Sequence, residues 1–123
     1  MAHEQHPRPL VETVREHIAA IFAAYTAATG TPPSVASKLV CGDPKFPKSY
    51  LQFNISVGTY DRFVSRFSAC WPEWADWPAA VPRQAPAQIG AAELDAIRAR
   101  QQRVAPPPVP GQWPADIPQP NGA

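Results

Sequence analysis

Lys45, Lys48, Ser49 and Gln52 stand in one short stretch, three or four residues apart. On a helix that spacing puts side chains on a shared face. Such a face has the chemistry to meet nucleic acid. Lysine holds a phosphate or reads guanine, and glutamine reads the donor and acceptor pair of adenine. Lys38, Asn54, Arg62 and Arg66 flank the stretch and are candidates for neighbouring phosphates. The competing interpretation is a solvated charged face, which many soluble helices carry.

Other chemistries find less support. The sequence has no Ser-His-Asp set, no Gly-rich phosphate loop and no paired-Glu motif. Asp43 and Asp61 are better explained as a helix cap and a first-turn acid than as a catalytic pair. His3 and His6 have one of the spacings of metal ligands, but at a loose terminus with no further ligand nearby. His17 falls within a helix and is read as a surface residue. Cys41 and Cys70 are the two cysteines, far apart and without a Cys-x-x-Cys. They are expected to be reduced thiols, Cys70 in a core, with no disulfide framework or zinc ribbon. The expectation is a non-enzymatic chain with no cofactor and no metal.

These residues need elements to position them. The chain has 123 residues, enough for one small domain with appendages. Of its 17 prolines, 10 follow Pro72, so residues 10–72 read as the domain and 73–123 as a Trp/Pro-rich, mostly extended tail. Residues 1–9 read as a flexible N-terminus. A core this small is expected to be helical, or marginal without help from a partner. The formal net charge is +1, split unevenly: 7 basic and 5 acidic side chains through residue 72, then 4 and 5. No apolar run approaches a membrane span. Glu12, Arg15, Glu16 and His17 interrupt the Ala-rich stretch from Leu10 to Ala28, so it does not read as a signal peptide. The cytoplasm is the expected location.

Leu10, Val14, Ile18, Ile21, Phe22 and Tyr25 recur on one helical face, and Gly30 supplies the stop. Thr31 and Pro32 read as the cap and first residue of a short helix over 33–40, with Val35, Ala36, Leu39 and Val40 inward. Gly42 breaks it. A third helix over 44–52 carries Phe46, Tyr50, Leu51 and Phe53, its start displaced toward Phe46 by Pro47. Ser56 caps a fourth, whose stripe is Tyr60, Phe63, Val64, Phe67, Cys70 and Trp71, with Arg62, Ser65 and Arg66 off that face. Pro72 ends it. A thin stripe of Leu94 and Ile97 predicts one more helix within 90–104.

Trp71, Trp74 and Trp77 cluster within seven residues. They can fold back over the small core, or serve a partner, as Trp does at interaction hot spots. Trp74, Trp77 and Trp113 are the candidates for partner or dimer contacts. Trp77-Pro-Ala-Ala-Val-Pro and Trp113-Pro-Ala-Asp-Ile-Pro form a short repeat. Pro106-Pro107-Pro108 favours polyproline II. With few apolar residues, the chain beyond about Gln84 is expected to be dispensable for folding.

The stretch Ser34, Val35, Ala36, Lys38, Leu39, Gly42, Leu51, Ile55 and Tyr60 resembles the helix-turn-helix of phage-repressor-type (lambda-repressor-like) DNA-binding domains. It is also similar to small helical regulators of α-proteobacteria and their phages. The shared elements are Ala28-Thr29-Gly30, Gly42-Asp43-Pro44-Lys45-Phe46, Thr59-Tyr60-Asp61-Arg62 and Trp71-Pro72. The resemblance covers residues 10–72 and implies an all-α domain of four to five helices. It also implies sequence-specific duplex DNA binding for transcriptional control, as a homodimer. Two features depart from the repressor pattern. Pro32 and Pro33 stand where that family often places a glutamine, and Pro47 sits within the recognition segment. The alternative function is a protein-interaction or inhibitor protein that uses the helical scaffold and the Trp/Pro tail.

Overall fold

The computed structural model describes residues 9–52 and 54–104. They form five helices and no strand: α1 (Leu10–Thr29), α2 (Pro33–Cys41), α3 (Phe46–Gln52), α4 (Val57–Cys70) and α5 (Ala91–Ala99). The domain is therefore all-α.

α1 buries Ile18, Ile21, Phe22, Tyr25 and Thr29 and ends at Gly30 with φ 74. A β-carbon disfavours that left-handed backbone, and glycine has none. α2 starts without a side-chain cap: Pro32 is its N-cap and Pro33 its first residue. Thr31 does not cap it; its own N–H donates to Thr29 Oγ1 at 3.2 Å. Ala36, Ser37 and Val40 face inward, and Val35 is exposed. Inward Ser37 satisfies its hydroxyl on the Asp43 carbonyl, which ties α2 to the turn beyond Gly42.

α3 begins at Phe46, two residues later than Pro44. The N–H groups of Lys48 and Ser49 donate to the Lys45 carbonyl, at 3.1 and 3.0 Å. Pro47 thus falls in the first turn, where a missing N–H costs nothing. Asp43 does not cap α3; its Oδ1 accepts from Lys45 N at 2.9 Å and tightens the turn instead. Ser56 does cap α4, its hydroxyl accepting from Thr59 N at 3.1 Å.

The core centres on aromatic rings. Phe22 touches Phe46, Tyr50, Phe63 and Phe67, with centroids 5.2–6.5 Å apart. Tyr25 meets Phe67 and Trp71 edge-on, and Trp71 meets Trp77 at 4.8 Å. The edge of this core does not fall at residue 72. Val81 and Ile97 are 2% and 1% exposed and belong to the same cluster.

The segment between α4 and α5 shows how a Pro-rich chain can join a helical core. Trp71 Nε1 donates to the Ala75 carbonyl at 2.9 Å, and Ala75 N donates to the Pro72 carbonyl at 3.2 Å. Six residues on, Trp77 Nε1 donates to Val81 O at 2.8 Å and Val81 N to Pro78 O at 3.1 Å. Each is a Trp-Pro turn whose donors are satisfied within five residues. The chain then runs without regular structure along α4. Ser68 Oγ donates to Gln84 O, Gln84 Nε2 to Asp61 Oδ1, and Ala87 N to the Ser65 carbonyl. Gln101 Nε2 reaches both the Cys70 carbonyl, at 2.7 Å, and the Tyr25 hydroxyl. The Ala28 carbonyl in the last turn of α1 accepts from Trp74 Nε1 and Val104 N, so later chain satisfies a helix end.

Candidate nucleic-acid interface

α3 is held by its inner face. Phe46 and Tyr50, four residues apart, pack against Phe22, and Arg15 Nε on α1 donates to the Tyr50 carbonyl at 3.0 Å. That cation sits where α3 presents unpaired carbonyls, a favourable place for positive charge. With Phe46 and Tyr50 turned in, Lys48 and Leu51 turn out; Leu51 is 59% exposed. Lys45 is exposed in the turn just before.

The eight candidate side chains divide. Lys38, Lys45, Lys48, Asn54 and Arg62 are exposed. Arg62 lines a small cavity of about 110 Å³ with Cys41, Asp43, Phe46, Thr59 and Phe63, so it stands beside the α2–α3 turn. Ser49 is half-buried, and its hydroxyl donates to the Phe46 carbonyl at 3.3 Å. The Gln52 side chain and Trp113 lie outside what is described.

Arg66 is not a free cation. Its side chain is only 16% exposed; Nε donates to the Val40 carbonyl, and Nη2 pairs with Glu93 at 2.6 Å. It joins α4 to the end of α2 and the start of α5. The periodicity missed this because Arg66 flanks the apolar stripe and the two partners of its guanidinium lie 26 and 27 residues away.

The tryptophans also divide. Trp74 is 38% exposed with its indole N–H on Ala28 O, at 3.2 Å. Trp77 is half-buried between Trp71 and the Arg83 guanidinium, which lies 5.1 Å above its ring. Sequence reasoning did not assign Arg15 or Leu51 to this surface. For Leu51 a signal existed: inward Phe46 and Tyr50 require an outward Leu51. For Arg15 there was none, because its carbonyl partner is 35 residues away.

Both cysteines are free thiols. Burial pushes the Cys41 thiol from 9.0 up to about 11, although Arg66 and Arg62 favour its thiolate. Burial pushes Cys70 up to about 12. At pH 8 the Cys41 thiolate is therefore about 100-fold scarcer than in the unfolded chain, and iodoacetamide should label the native protein correspondingly slowly. The stability consequence has a definite sign. The folded state keeps these protons while the unfolded chain releases them above about pH 9. This contribution is intact below pH 9 and declines toward pH 11–12. Urea melts at pH 8 and pH 10 should differ accordingly, and Cys41→Ala should reduce the difference. Equal labelling rates in native and unfolded protein would contradict the raised thiol of half-buried Cys41 and the burial of Cys70.

No cluster of three His, Cys, Asp or Glu side chains suited to a metal occurs among the described residues, and His3 and His6 lie outside them. No described helix is long and apolar enough to cross a membrane. Compared with family models, curated proteins and solved structures, the chain finds no match.

Proposed function

We propose that this chain is a sequence-specific duplex DNA-binding regulator. In this reading α2, the Gly42 turn and α3 act as a helix-turn-helix, with α3 entering the major groove. The observation that carries it is the two-sidedness of α3. Phe46 and Tyr50 anchor one side in the aromatic core, leaving Lys48 and Leu51 outward next to exposed Lys45. Lysine can hold phosphate or read guanine, and an outward leucine can meet a thymine methyl. Lys38 and Arg62 extend the cationic surface on α2 and α4. Arg66 and Ser49 take supporting roles within the fold. A homodimer would place two such helices on half-sites about one helical turn apart.

The test begins with duplexes selected from a random library, then compares the parent with Lys45→Ala plus Lys48→Ala across a salt series. Both side chains are exposed, so the melt should stay unchanged. Affinity should drop, with the salt slope flattened by about 0.9 for each phosphate that the variant no longer neutralises. Where a lysine reads a base, its removal should cost about 1–3 kcal/mol more. Unchanged affinity and slope in the folded double variant would remove α3 from DNA binding. Failure to enrich any duplex would remove the DNA reading altogether.

A further inference from the structure

An apolar groove of about 510 Å³ lies between the start of α1 and the start of α4. Leu10, Val14, Ile55 and Val57 supply its apolar walls, and Leu10 and Val57 are 68% and 67% exposed. His17 of α1 and Tyr60 of α4 line the same groove, and a hydrogen bond of 2.7 Å joins His17 Nδ1 to the Tyr60 hydroxyl. We propose that this groove binds a small, neutral, apolar molecule through one carbonyl, which accepts a hydrogen bond from the His17–Tyr60 pair.

Size and lining speak first. Small-molecule sites span ~300–1,000 Å³ and pair apolar walls with a few polar groups. The groove has both properties, whereas the cavity beside Arg62 holds only about 110 Å³.

The bookkeeping of protons selects the carbonyl. When the Tyr60 hydroxyl donates to His17 Nδ1, the neutral ring carries its own proton on Nε2 and has that donor left over. When Nδ1–H donates to the Tyr60 oxygen, the hydroxyl proton is left over instead. Either way one donor of a half-buried pair is available to an acceptor from outside. The Ser56 hydroxyl does not compete for that acceptor, because it donates to Thr59 Oγ1 at 2.8 Å within the α4 cap.

Charge selects a neutral molecule. Asp61 lines the groove, and no described Lys or Arg does. Burial, and after it the Asp61 carboxylate, hold the Tyr60 phenol above its ordinary range, so the hydroxyl keeps its proton at neutral pH. The same carboxylate opposes a bound anion, and a carboxylate or phosphate ligand would find no described cation in the groove to pair with.

The proposal is independent of DNA binding, and its test uses no nucleic acid. The full-length chain is titrated with prodan, a neutral naphthyl ketone whose emission moves to the blue in apolar surroundings. Phenylnaphthylamine, neutral and without a carbonyl, and anilinonaphthalene sulfonate, its anionic relative, serve as companions. Prodan should bind saturably, one per chain, and the sulfonate should bind more weakly than phenylnaphthylamine. Val57→Asp should weaken prodan at least about 10-fold, because it sets a charge on the apolar wall. Val57 is exposed in the first turn of α4, where an acid suits the helix, so the fold tolerates the change. His17→Leu plus Tyr60→Phe removes both hydrogen-bonding partners together, which costs the fold little. This double variant should weaken prodan about 3–10-fold and leave phenylnaphthylamine unchanged. Absence of saturable prodan binding in the parent would overturn the proposal, as would binding that ignores Val57→Asp. Equal losses for prodan and phenylnaphthylamine in the double variant would overturn the carbonyl contact, and a sulfonate bound as tightly as its neutral relative would overturn the selection by charge. Prodan capacity that falls as the protein is concentrated, with a rise in sedimenting mass, would give the groove to a second copy of the chain and overturn the small-molecule assignment.

Discussion

Phe67→Ala should lower the unfolding free energy by about 3–5 kcal/mol, a large part of the ~5–15 kcal/mol typical of a small domain. Phe67 is 0% exposed. Its ring meets Phe63 at 4.8 Å, Tyr25 at 5.3 Å and Phe22 at 5.9 Å, so truncation opens a void where α1 and α4 cross. Rings this well fixed do not collapse into the space, which is why the cost exceeds simple transfer of the side chain. Phe67→Leu, which fills part of the void, should recover some of the loss. Val57→Ala, at an exposed position of the same helix, should change stability by less than about 0.5 kcal/mol. Urea melts decide it: equal midpoints for Phe67→Ala and the parent would mean that α4 turns another face to α1.

Ending the chain after Gln84 should have an effect at least as large, and the protein should lose its cooperative melt. The cut removes Ile97, 1% exposed in the core, and a buried isoleucine alone is worth about 2–5 kcal/mol on truncation to alanine. It also removes Glu93 from Arg66, and Gln101 from Tyr25 and the Cys70 carbonyl. The cut chain leaves a buried backbone acceptor without its amide donor, which adds a desolvation cost. Ile97→Ala in the full chain gives the graded version of the experiment and should lower the melting temperature without abolishing the transition. A cooperative melt of residues 1–84 at the parent's temperature would restore the expectation that this region is dispensable.

That expectation shows where sequence reading reached its limit. The long stripe of α1 and the stripe from Phe63 to Trp71 were legible because apolar residues repeat over several turns. Gly30 and Gly42 were legible as helix ends, and both take positive φ. α2 was harder. It is nine residues long, and polar Ser37 takes an inward place that apolar periodicity assigns to Val35. What makes Ser37 tolerable is the Asp43 carbonyl, a partner set by the turn and invisible to periodicity. Val81 has no period to betray it, because it enters the core from a Trp-Pro turn. Ile97 was legible only as half of a thin stripe with Leu94, enough to predict a helix but not a place for it in the core. Of the candidate site, the exposure of Lys45, Lys48 and Arg62 was legible, and the internal engagement of Arg66 was not, because Glu93 lies 27 residues away.

The bond from Gln101 to the Tyr25 hydroxyl spans 76 residues. On the ribosome this separation becomes a delay. At ~5–20 residues per second, roughly 4–15 s pass between synthesis of Tyr25 and synthesis of its partner. Through that interval α1 exists with its apolar face made and the far wall of its core unwritten. The nascent chain therefore passes through a stage in which a finished amphipathic helix has nothing complete to pack against. Substitutions that increase the apolar surface of α1 should act first on yield during synthesis, ahead of any effect on the stability of the completed fold.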